Sequence, residues 1–224
     1  MTARKLIIAI DGPAGAGKST VARHLAAHFG LLNLETGAMY RAFACKALEQ
    51  GVDPDDAVAL QALASGTSIE LEPTPNGNRV LLDGVDVTGS LRDAAVTQAA
   101  SRVSVHPAIR SWMVSLQRAM GQQGGVVMEG RDIGTVVFPN ADLKFFLDAS
   151  PEARGQRRYL EAPSAATTPE ALHEELRKRD ERDRNRAESP LRPAADAVVI
   201  DSTSLTLEEV LRKIEETVAA RAGA

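Results

Sequence analysis

The chain has 224 residues, a net charge of −4 and one cysteine, Cys45. This length suits a single α/β domain with insertions, and the negative charge excludes the broad positive field that non-specific nucleic-acid binding needs. A lone cysteine excludes an internal disulfide and favours a reducing compartment. The apolar runs are too short for a membrane span or a signal peptide. We therefore expect a cytoplasmic protein without membrane or nucleic-acid partners and, because no coiled-coil seam is visible, a monomer.

A glycine-rich loop lies between the first predicted strand and the first predicted helix. The strand covers residues 4–10, and the helix covers residues 18–29 and ends at Gly30. The loop matches the phosphate-binding pattern G-x-x-x-x-G-K-[ST] in full, in the strand–loop–helix order that such a site requires. Its glycines let backbone N–H groups surround an oxyanion, and the helix N-terminus adds partial positive charge. We predict that nucleotide phosphates bind to Gly12, Pro13, Ala14, Gly15, Ala16, Gly17, Lys18, Ser19 and Thr20.

Two side chains at the start of this helix suggest specific chemistry. Lys18 can reach the β- and γ-phosphates of a nucleotide, and the Ser19 hydroxyl can ligate Mg²⁺. Further along the helix, His24 and His28 are spaced i, i+4. No third ligand candidate accompanies these histidines in the sequence, so we expect a helix surface there rather than a metal site.

The next elements change from helical to β patterns. They are a strand at 31–34, a helix at about 38–50 and a helix from Pro54 to about 64. Residues 66–90 then alternate between apolar and polar, with the turn dipeptides Asn76-Gly77 and Asp83-Gly84. This pattern predicts a small antiparallel meander inserted into the helical chain.

The second half of the chain predicts three more buried strands, separated by helices. The strands lie at 125–128, 142–147 and 197–200. One helix is indicated by an apolar face at 96–103, and further helices start at Pro107, at Pro151, at Pro169 and at 206. Trp112, on the apolar face of the helix that starts at Pro107, is predicted to be core. Continuous apolar strands separated by helices imply a parallel sheet covered on both faces. The helices at 151 and 169 form a predicted hairpin with a break at 162–168.

Arginines recur along both helices of this hairpin. The first helix carries Arg154, Arg157 and Arg158 on one face, and the second carries Arg179, Arg182 and Arg186, with Asp183 beside them. Guanidinium groups suit phosphate oxygens because their N–H donors match the oxygens in pairs. Two such helices joined by a break predict a lid that closes on triphosphate charge and expels water.

Charged residues also follow two of the predicted strands. The strand at 125–128 ends in Glu129-Gly130-Arg131-Asp132-Ile133-Gly134, and Thr36-Gly37-Ala38-Met39-Tyr40-Arg41 follows the strand at 31–34. Groups at the carboxyl ends of parallel strands face the ligand crevice in open α/β sheets. A carboxylate there can hold a Mg²⁺-bound water, and an arginine there can bind a second phosphate.

Four segments together resemble the bacterial cytidylate kinases, a family of nucleoside monophosphate kinases. The segments are Gly12–Ser19, Thr36–Arg41, Gly130–Pro139 and Arg182–Arg186. The last two are specific to the family, and the resemblance extends nearly end to end. It implies a P-loop α/β kinase with a central parallel sheet flanked by helices, an inserted β meander and a helical arginine lid. It also implies transfer of the γ-phosphoryl group of ATP to CMP or dCMP with Mg²⁺.

The resemblance carries roles over to matching positions of this sequence. On the acceptor side, Arg41 and Arg131 hold the phosphate with Thr36 nearby, while Arg179 and Asp183 contact the sugar side. The residues that read the cytosine edge are Ser101, Arg110 and Asp132. The catalytic residues around the transferred group are Lys18, Arg154, Arg158 and Arg186. Thr36 stands where serine is common in the family, and Glu129, the predicted ligand of a metal-bound water, stands where aspartate is common.

The predicted domains and the alternative functions complete this interpretation. The P-loop core comprises 1–35, 104–150 and 190–224, the monophosphate-binding domain 36–103, and the lid region 151–189.

Another nucleoside monophosphate kinase, acting on UMP or AMP, is the nearest alternative. A P-loop GTPase switch is less favoured because Asp86-Val87-Thr88-Gly89, which fits D-x-x-G, lies in the meander and the sequence has no N-K-x-D. An inactive nucleotide-binding module is disfavoured because the loop lysine, the loop serine and the arginines are all present.

Overall fold

The computed structural model describes residues 5–74, 77–161 and 168–222. Its strands are β1 Ile7–Asp11, β2 Leu32–Glu35, β3 Ile69–Thr74, β4 Gly77–Leu82, β5 Val85–Asp86, β6 Val126–Gly130, β7 Leu143–Asp148 and β8 Val198–Asp201. Its α-helices are α1 Lys18–Phe29, α2 Thr36–Glu49, α3 Ala57–Ser65, α4 Ala94–Val103, α5 Pro107–Gly121, α6 Pro151–Glu161, α7 Pro169–Asn185 and α8 Leu207–Ala222. A 3₁₀ turn at Thr88–Ser90 and a π-helical turn at Ile133–Val137 complete the described elements.

Within the described residues, one sheet has the strand order β2-β6-β1-β7-β8, and every pairing in it is parallel. The central strand β1 pairs with β6 on one side and with β7 on the other, so that Ile8 lies opposite both Val127 and Leu143. The predicted parallel α/β sheet is therefore confirmed. Because all strands point the same way, the carboxyl ends of β1, β2, β6 and β7 meet at one edge, where a ligand crevice is expected.

The predicted meander is also confirmed as a separate antiparallel sheet of β3, β4 and β5. Its second turn is built by Asp83 and Gly84, which have φ values of 50° and 80°, as a type I′ hairpin turn requires. Asn76, of the first predicted turn, lies outside the described residues. The Asn78 side chain ties this sheet to β2: its oxygen accepts from the Glu35 N–H at 2.9 Å, and its nitrogen donates to the Asn33 carbonyl at 2.7 Å.

Separate apolar cores lie under the phosphate loop and under the inserted segment. The first packs β1, α1, β7 and α8 together through residues such as Ile10, Leu25 and Ile214. The second packs α2, α4 and α5 around Phe43, which is fully buried. Trp112 is only partly buried, and its ring meets Phe43 edge-on at a centroid distance of 5.1 Å. It therefore lies at the border of this core rather than inside it.

The structure corrects several of the expected boundaries. Helix α3 begins at Ala57 and not at Pro54, because the Asp56 side chain caps it by accepting from two backbone N–H groups at 3.1 and 3.0 Å. The π-helical turn after β6 was not predicted. The predicted hairpin break falls mostly on residues 162–167, outside the described residues. Among the described helices, none combines the length and the apolarity that crossing a membrane requires.

One correction concerns the histidines of α1. Packing of α8 against α1 brings Glu215 to His24 and His28, so the third ligand candidate missing from the local sequence is present in the fold. Its oxygen lies 2.5 Å from His24 Nε2 and 3.6 Å from His28 Nδ1. A side chain 191 residues away in sequence could not be paired with them from spacing alone.

Candidate active site

The phosphate loop is shaped by glycines in backbone conformations that other residues adopt only at a cost. At Gly12, φ is 147° and an added Cβ would lie 2.0 Å from the carbonyl oxygen of Leu147. Gly17 has a φ of 92° at the N-cap of α1, a conformation that costs an L-residue free energy. The loop therefore passes tightly over the end of β7 and delivers the backbone N–H groups of the first turn of α1 to the crevice.

Lys18, the first residue of α1, lies buried beneath this loop. Its Nζ donates to the Pro13 carbonyl oxygen at 2.7 Å, so the side chain turns back towards the start of the loop. Burial, together with the neighbouring Arg131 guanidinium, lowers the pKa of Lys18 to about 7; Glu129 opposes the shift. Burial is the main cause of the lowered pKa, and the nearby Arg131 and Arg179 charges add to it; an arriving anion would stabilise the charged lysine.

Ser19 and Glu129 are in contact close to Lys18. The Ser19 hydroxyl donates to Glu129 Oε1 at 2.6 Å, although the two residues are 110 positions apart. Burial raises the pKa of Glu129, and the charge of Lys18 opposes the shift. A hydroxyl and a carboxylate side by side are the hard oxygen ligands that Mg²⁺ prefers. The pair therefore fits the predicted metal position, and the longer Glu129 side chain reaches the serine directly.

Asp11, at the end of β1, is a site residue that the sequence reasoning missed. Its carboxylate accepts from the backbone N–H groups of Ile133 and Gly134, at 2.8 and 2.7 Å. Burial raises the pKa of Asp11 to about 7 against these two donors. Asp11 thereby holds the π-helical turn that follows Arg131 and Asp132. The available signal was an acidic residue directly after an apolar strand, where packing does not call for a charge.

Replacing Asp11 by alanine should destabilise the fold. Two buried N–H groups would lose their acceptor, and each buried donor left unsatisfied costs roughly 1–3 kcal/mol. We expect the free energy of unfolding, measured by urea denaturation, to fall by about 2–6 kcal/mol. Asp55→Ala is the matched control, because Asp55 is exposed and pairs with Arg102 at the surface, where an ion pair contributes about 0–1 kcal/mol. Equal losses in the two variants would contradict the role of Asp11.

The predicted acceptor-phosphate residues converge at the carboxyl ends of β2 and β6. The Thr36 hydroxyl donates to the Glu129 carbonyl oxygen at 2.7 Å, and Arg41 Nη2 donates to Glu35 at 2.5 Å. Arg131 Nε donates to Asp183 of α7 at 2.9 Å. These contacts bring strand ends and lid into one cleft.

Arg179 of α7 adds another cation to this cleft. It is partly exposed, but the surrounding protein and the Arg131 charge lower its pKa to about 10. Arg158 of α6 is close enough to contribute to the same shift. Among the described residues, none accepts a hydrogen bond from Arg158. The cations near Lys18 therefore form a cluster that extends from the phosphate loop across to the lid.

The predicted base-reading residues form a buried group beside the cleft. Arg110 Nη2 donates to Asp132 at 2.5 Å, and both side chains are at most 7 % exposed. Arg110 also donates to the Ser104 carbonyl oxygen at 3.2 Å and lies over the Tyr40 ring, 5.7 Å from its centroid. Among the described residues, Arg110 Nε has no hydrogen-bond partner. A buried, incompletely satisfied guanidinium beside a carboxylate is suited to a small polar ligand.

Ser101 on α4 and Arg182 on α7 connect this group to the lid. Arg182 Nη1 donates to the Ser101 hydroxyl oxygen at 2.8 Å. Arg186, one turn further along, donates through Nε to the Ser189 carbonyl oxygen at 2.6 Å, and its Nη1 lies 3.5 Å from Asp183. Among the described residues, the buried Arg186 Nη2 has no partner. The end of α7 therefore presents to the base-reading group an N–H donor that has no acceptor among the described residues.

Arg154 and Arg157 of α6 are used differently from the other lid arginines. Arg154 is 1 % exposed. It donates to the carbonyl oxygens of Ala149 and Ala14, both at 2.9 Å, and to Asp180 of α7 at 2.5 Å. Arg157 donates to both the hydroxyl and the carbonyl oxygen of Ser202 after β8. In this conformation Arg154 ties the phosphate loop to the lid, and direct contact with a transferred group requires one of its bonds to open.

Comparison with known proteins identifies the family. A family model described as cytidylate kinase matches residues 8–220. A cytidylate kinase of Geobacillus kaustophilus is 52% identical over 222 residues, which cover 98% of this chain and 99% of the relative. A cytidylate kinase of Pasteurella multocida is 44% identical over 209 residues, which cover 92% of each chain. A shikimate kinase structure from Bacteroides thetaiotaomicron has a TM-score of 0.50 at 11% identity and covers 96% of this chain and 98% of its own. This last likeness concerns the fold alone.

An uncharacterised protein from Eubacterium ventriosum has a similar fold, with a TM-score of 0.53 at 13% identity, covering 96% of this chain and 99% of its own. The sequence relatives, by contrast, share about half of all residues across nearly the full length of both chains. The family model and these relatives confirm the resemblance seen in the sequence. The chain belongs to the cytidylate kinase family of nucleoside monophosphate kinases.

Proposed function

We propose that the cleft transfers the γ-phosphoryl group of ATP to CMP or dCMP, with Mg²⁺, and that the residues described above perform this reaction in distinct groups. Family membership supports the reaction class. The observation that carries the assignment is the convergence of Lys18, Arg131 and Arg179 at the carboxyl ends of the parallel strands, beside a buried Arg110–Asp132 pair.

On the donor side, the phosphate loop receives the β- and γ-phosphates of ATP. The N–H groups at the start of α1 supply hydrogen bonds, and Lys18 exchanges its bond with Pro13 for phosphate oxygens. Ser19 and Glu129 would hold Mg²⁺, Glu129 through a water molecule. When bound there, Mg²⁺ would supply positive charge that offsets the negative charge of the phosphates.

On the acceptor side, Arg41 and Arg131 bind the phosphate of CMP near the Thr36 hydroxyl. Each arginine now pairs with a carboxylate of the protein, Arg41 with Glu35 and Arg131 with Asp183. A phosphate group with two negative charges can share or displace such partners through paired N–H donors. Arg179 and Asp183 then contact the sugar side of the acceptor.

The base binds against Ser101, Arg110 and Asp132. Asp132 accepts a hydrogen bond from the cytosine amino group, and Arg110 donates to N3 or O2. Arg182 presently holds the Ser101 hydroxyl, so its release from Ser101 accompanies entry of the base. This exchange couples base binding to the position of α7.

Transfer itself depends on position and charge. No strong general base is needed because the acceptor is already a phosphate anion, so alignment of the two phosphates and neutralisation of their charge supply the rate enhancement. Arg158 and Arg186 meet the transferred group as the lid closes, and Arg154 holds loop and lid together around it. Closure of the lid also excludes water, which would otherwise accept the phosphoryl group.

We propose a monomer as the active form, because the sequence shows no coiled-coil seam. We propose residues 36–103 as the monophosphate-binding domain, 151–189 as the lid region, and 1–35, 104–150 and 190–224 as the P-loop core. The apolar cluster of β1, α1, β7 and α8 lies within the proposed P-loop core, whereas α5, which the division also assigns there, packs against α2 and α4 of the monophosphate-binding domain. The use of ATP and the free thiol Cys45 fit a cytoplasmic enzyme.

A coupled assay for ADP across monophosphates tests the proposed substrates. With ATP and Mg²⁺, CMP and dCMP should be turned over with the highest kcat/KM, and replacing Mg²⁺ by a chelator should abolish turnover. AMP and UMP serve as competing acceptors in the same assay. A higher kcat/KM with AMP or UMP would overturn the assignment of the acceptor.

Removing Arg158 should slow the chemical step more than it weakens CMP binding. Arg158 is assigned to charge that develops during transfer, and an interaction made only in the transition state appears in kcat. We expect Arg158→Ala to lower kcat by about 10²-fold, with KM for CMP changed less than about threefold. Arg177→Ala is the control, because Arg177 on the same lid is exposed and pairs with Glu174 and Glu181. An increase in KM alone would place Arg158 in acceptor binding.

A further inference from the structure

A cluster of two histidines and one glutamate lies on the outer surface, where α1 packs against α8. His24 and His28 are one turn apart on α1, and Glu215 comes from α8. The Glu215 oxygen lies 2.5 Å from His24 Nε2 and 3.6 Å from His28 Nδ1. The proposed reaction uses none of these three residues.

The geometry of the cluster fits a metal ion. One nitrogen from each imidazole and one carboxylate oxygen all lie within 4.8 Å of one another. Ligand atoms around a four-coordinate Zn²⁺ with bonds of about 2.0–2.2 Å are roughly 3.3–3.5 Å apart. The His28–Glu215 distance of 3.6 Å is already close to this value, and the His24–Glu215 distance has to open by about 1 Å.

The surroundings permit this adjustment. The side chains of His24, His28 and Glu215 are 39%, 52% and 31% exposed, so each can rotate without disturbing a packed core. Three protein ligands leave the fourth position of a tetrahedral ion for water. The two histidine rings are already stacked, with centroids 6.0 Å apart, because i, i+4 residues lie on the same face of a helix.

We propose that His24, His28 and Glu215 form a second metal site, selective for a divalent transition ion such as Zn²⁺, which joins α8 to α1. Imidazole ligands favour Zn²⁺, Ni²⁺ and Cu²⁺, whereas Mg²⁺ prefers an all-oxygen shell. The Mg²⁺ that accompanies ATP therefore does not compete for this site. The site lies six or more residues beyond Lys18, or about 9 Å along the helix, so it is separate from the phosphate loop.

Occupation of this site should stabilise the fold without taking part in catalysis. An ion that binds only the folded chain shifts unfolding to higher temperature in proportion to the logarithm of its concentration. Helix α8 is the last described element, and its link to the central strands runs through α1 and the core that they share. A metal bridge would restrain both helices at their solvent-facing contact.

Calorimetric titration with Zn²⁺ tests the site. The full chain without a polyhistidine tag, free of nucleotide and in excess Mg²⁺, should bind one Zn²⁺ per chain, and its unfolding midpoint should rise by about 5 °C or more at saturating metal. Co²⁺ in place of Zn²⁺ should give visible absorption bands of nitrogen and oxygen ligation without the near-ultraviolet band of a thiolate, which separates this site from Cys45.

Three variants define the outcome. His28→Gln and Glu215→Gln should each weaken Zn²⁺ binding at least about tenfold, since each removes one of three ligands. His173→Gln, the matched control, should bind Zn²⁺ like the parent chain, because His173 pairs at 3.5 Å with Glu152 and belongs to no such cluster among the described residues. Circular dichroism of the metal-free variants checks their fold. Absence of 1:1 binding, or equal weakening by His173→Gln, would overturn the proposal.

Discussion

Replacing Lys18 by alanine should lower kcat by at least about 10²-fold, which corresponds to roughly 3 kcal/mol of lost transition-state stabilisation. Lys18 is the cation that the phosphate loop itself carries, and its Nζ donates to the Pro13 carbonyl oxygen at 2.7 Å. Arg131, the neighbouring arginine, pairs with Asp183 and is assigned to the acceptor phosphate, so we do not expect it to replace Lys18 at the donor phosphates. Steady-state kinetics with saturating ATP and CMP measure the loss.

The fold should survive this substitution. Lys18 is held close to the Arg131 and Arg179 charges, so its removal relieves repulsion while it leaves one loop carbonyl without a donor. We expect the free energy of unfolding to change by no more than about 1 kcal/mol. Lys178→Ala, an exposed lysine of α7, is the control and should retain activity. Near-normal kcat in the Lys18 variant would remove the phosphate loop from the mechanism.

The second large effect concerns the choice of base. We expect kcat/KM for CMP to exceed that for UMP by at least about 10²-fold, because a site built to hydrogen-bond a substrate group rejects an analogue that lacks it. Cytosine offers an N4 donor to Asp132 and acceptors to Arg110. Uracil would place its O4 acceptor against the carboxylate, which leaves like dipoles opposed and a buried acceptor unpaired. Competition assays with both monophosphates measure the ratio.

Two variants separate base reading from phosphate binding. Asp132→Asn should lower the ratio of kcat/KM for CMP to kcat/KM for UMP, because an amide can present either its donor or its acceptor to the base. The substitution also weakens the buried pair with Arg110, so this ratio, rather than the absolute activity, is the readout. Arg131→Ala should lower kcat/KM for CMP and UMP alike, since Arg131 acts on phosphate. Equal turnover of UMP and CMP by the unmodified chain would refute the base assignment.

The sequence by itself determined the sheet, the phosphate loop and the family. These features depend on local patterns: apolar runs of strand length, glycines at fixed spacing before a helix, and an Asp-Gly turn between short strands. Each of them is specified within about ten neighbouring residues. The parallel sheet and the inserted antiparallel meander followed from these patterns and were confirmed, whereas the order of the strands came from the structure.

Only the tertiary structure decided how charged side chains are paired. The helical spacing of Arg154, Arg157 and Arg158 predicted one shared surface. The fold instead buries Arg154 against Ala14 and Asp180, ties Arg157 to Ser202, and leaves Arg158 near Arg179. Spacing along a helix gives the direction of a side chain, but its partners come from other elements.

The same reason explains Asp11 and the α1 histidines. Asp11 accepts from backbone N–H groups that are more than a hundred residues away in the sequence. These groups belong to a π-helical turn that no local sequence pattern predicted. Glu215 meets His24 and His28 only because the apolar face of α8 packs on the core under α1. Burial of apolar faces fixes which helices touch, and that contact in turn selects the polar groups that meet at its rim.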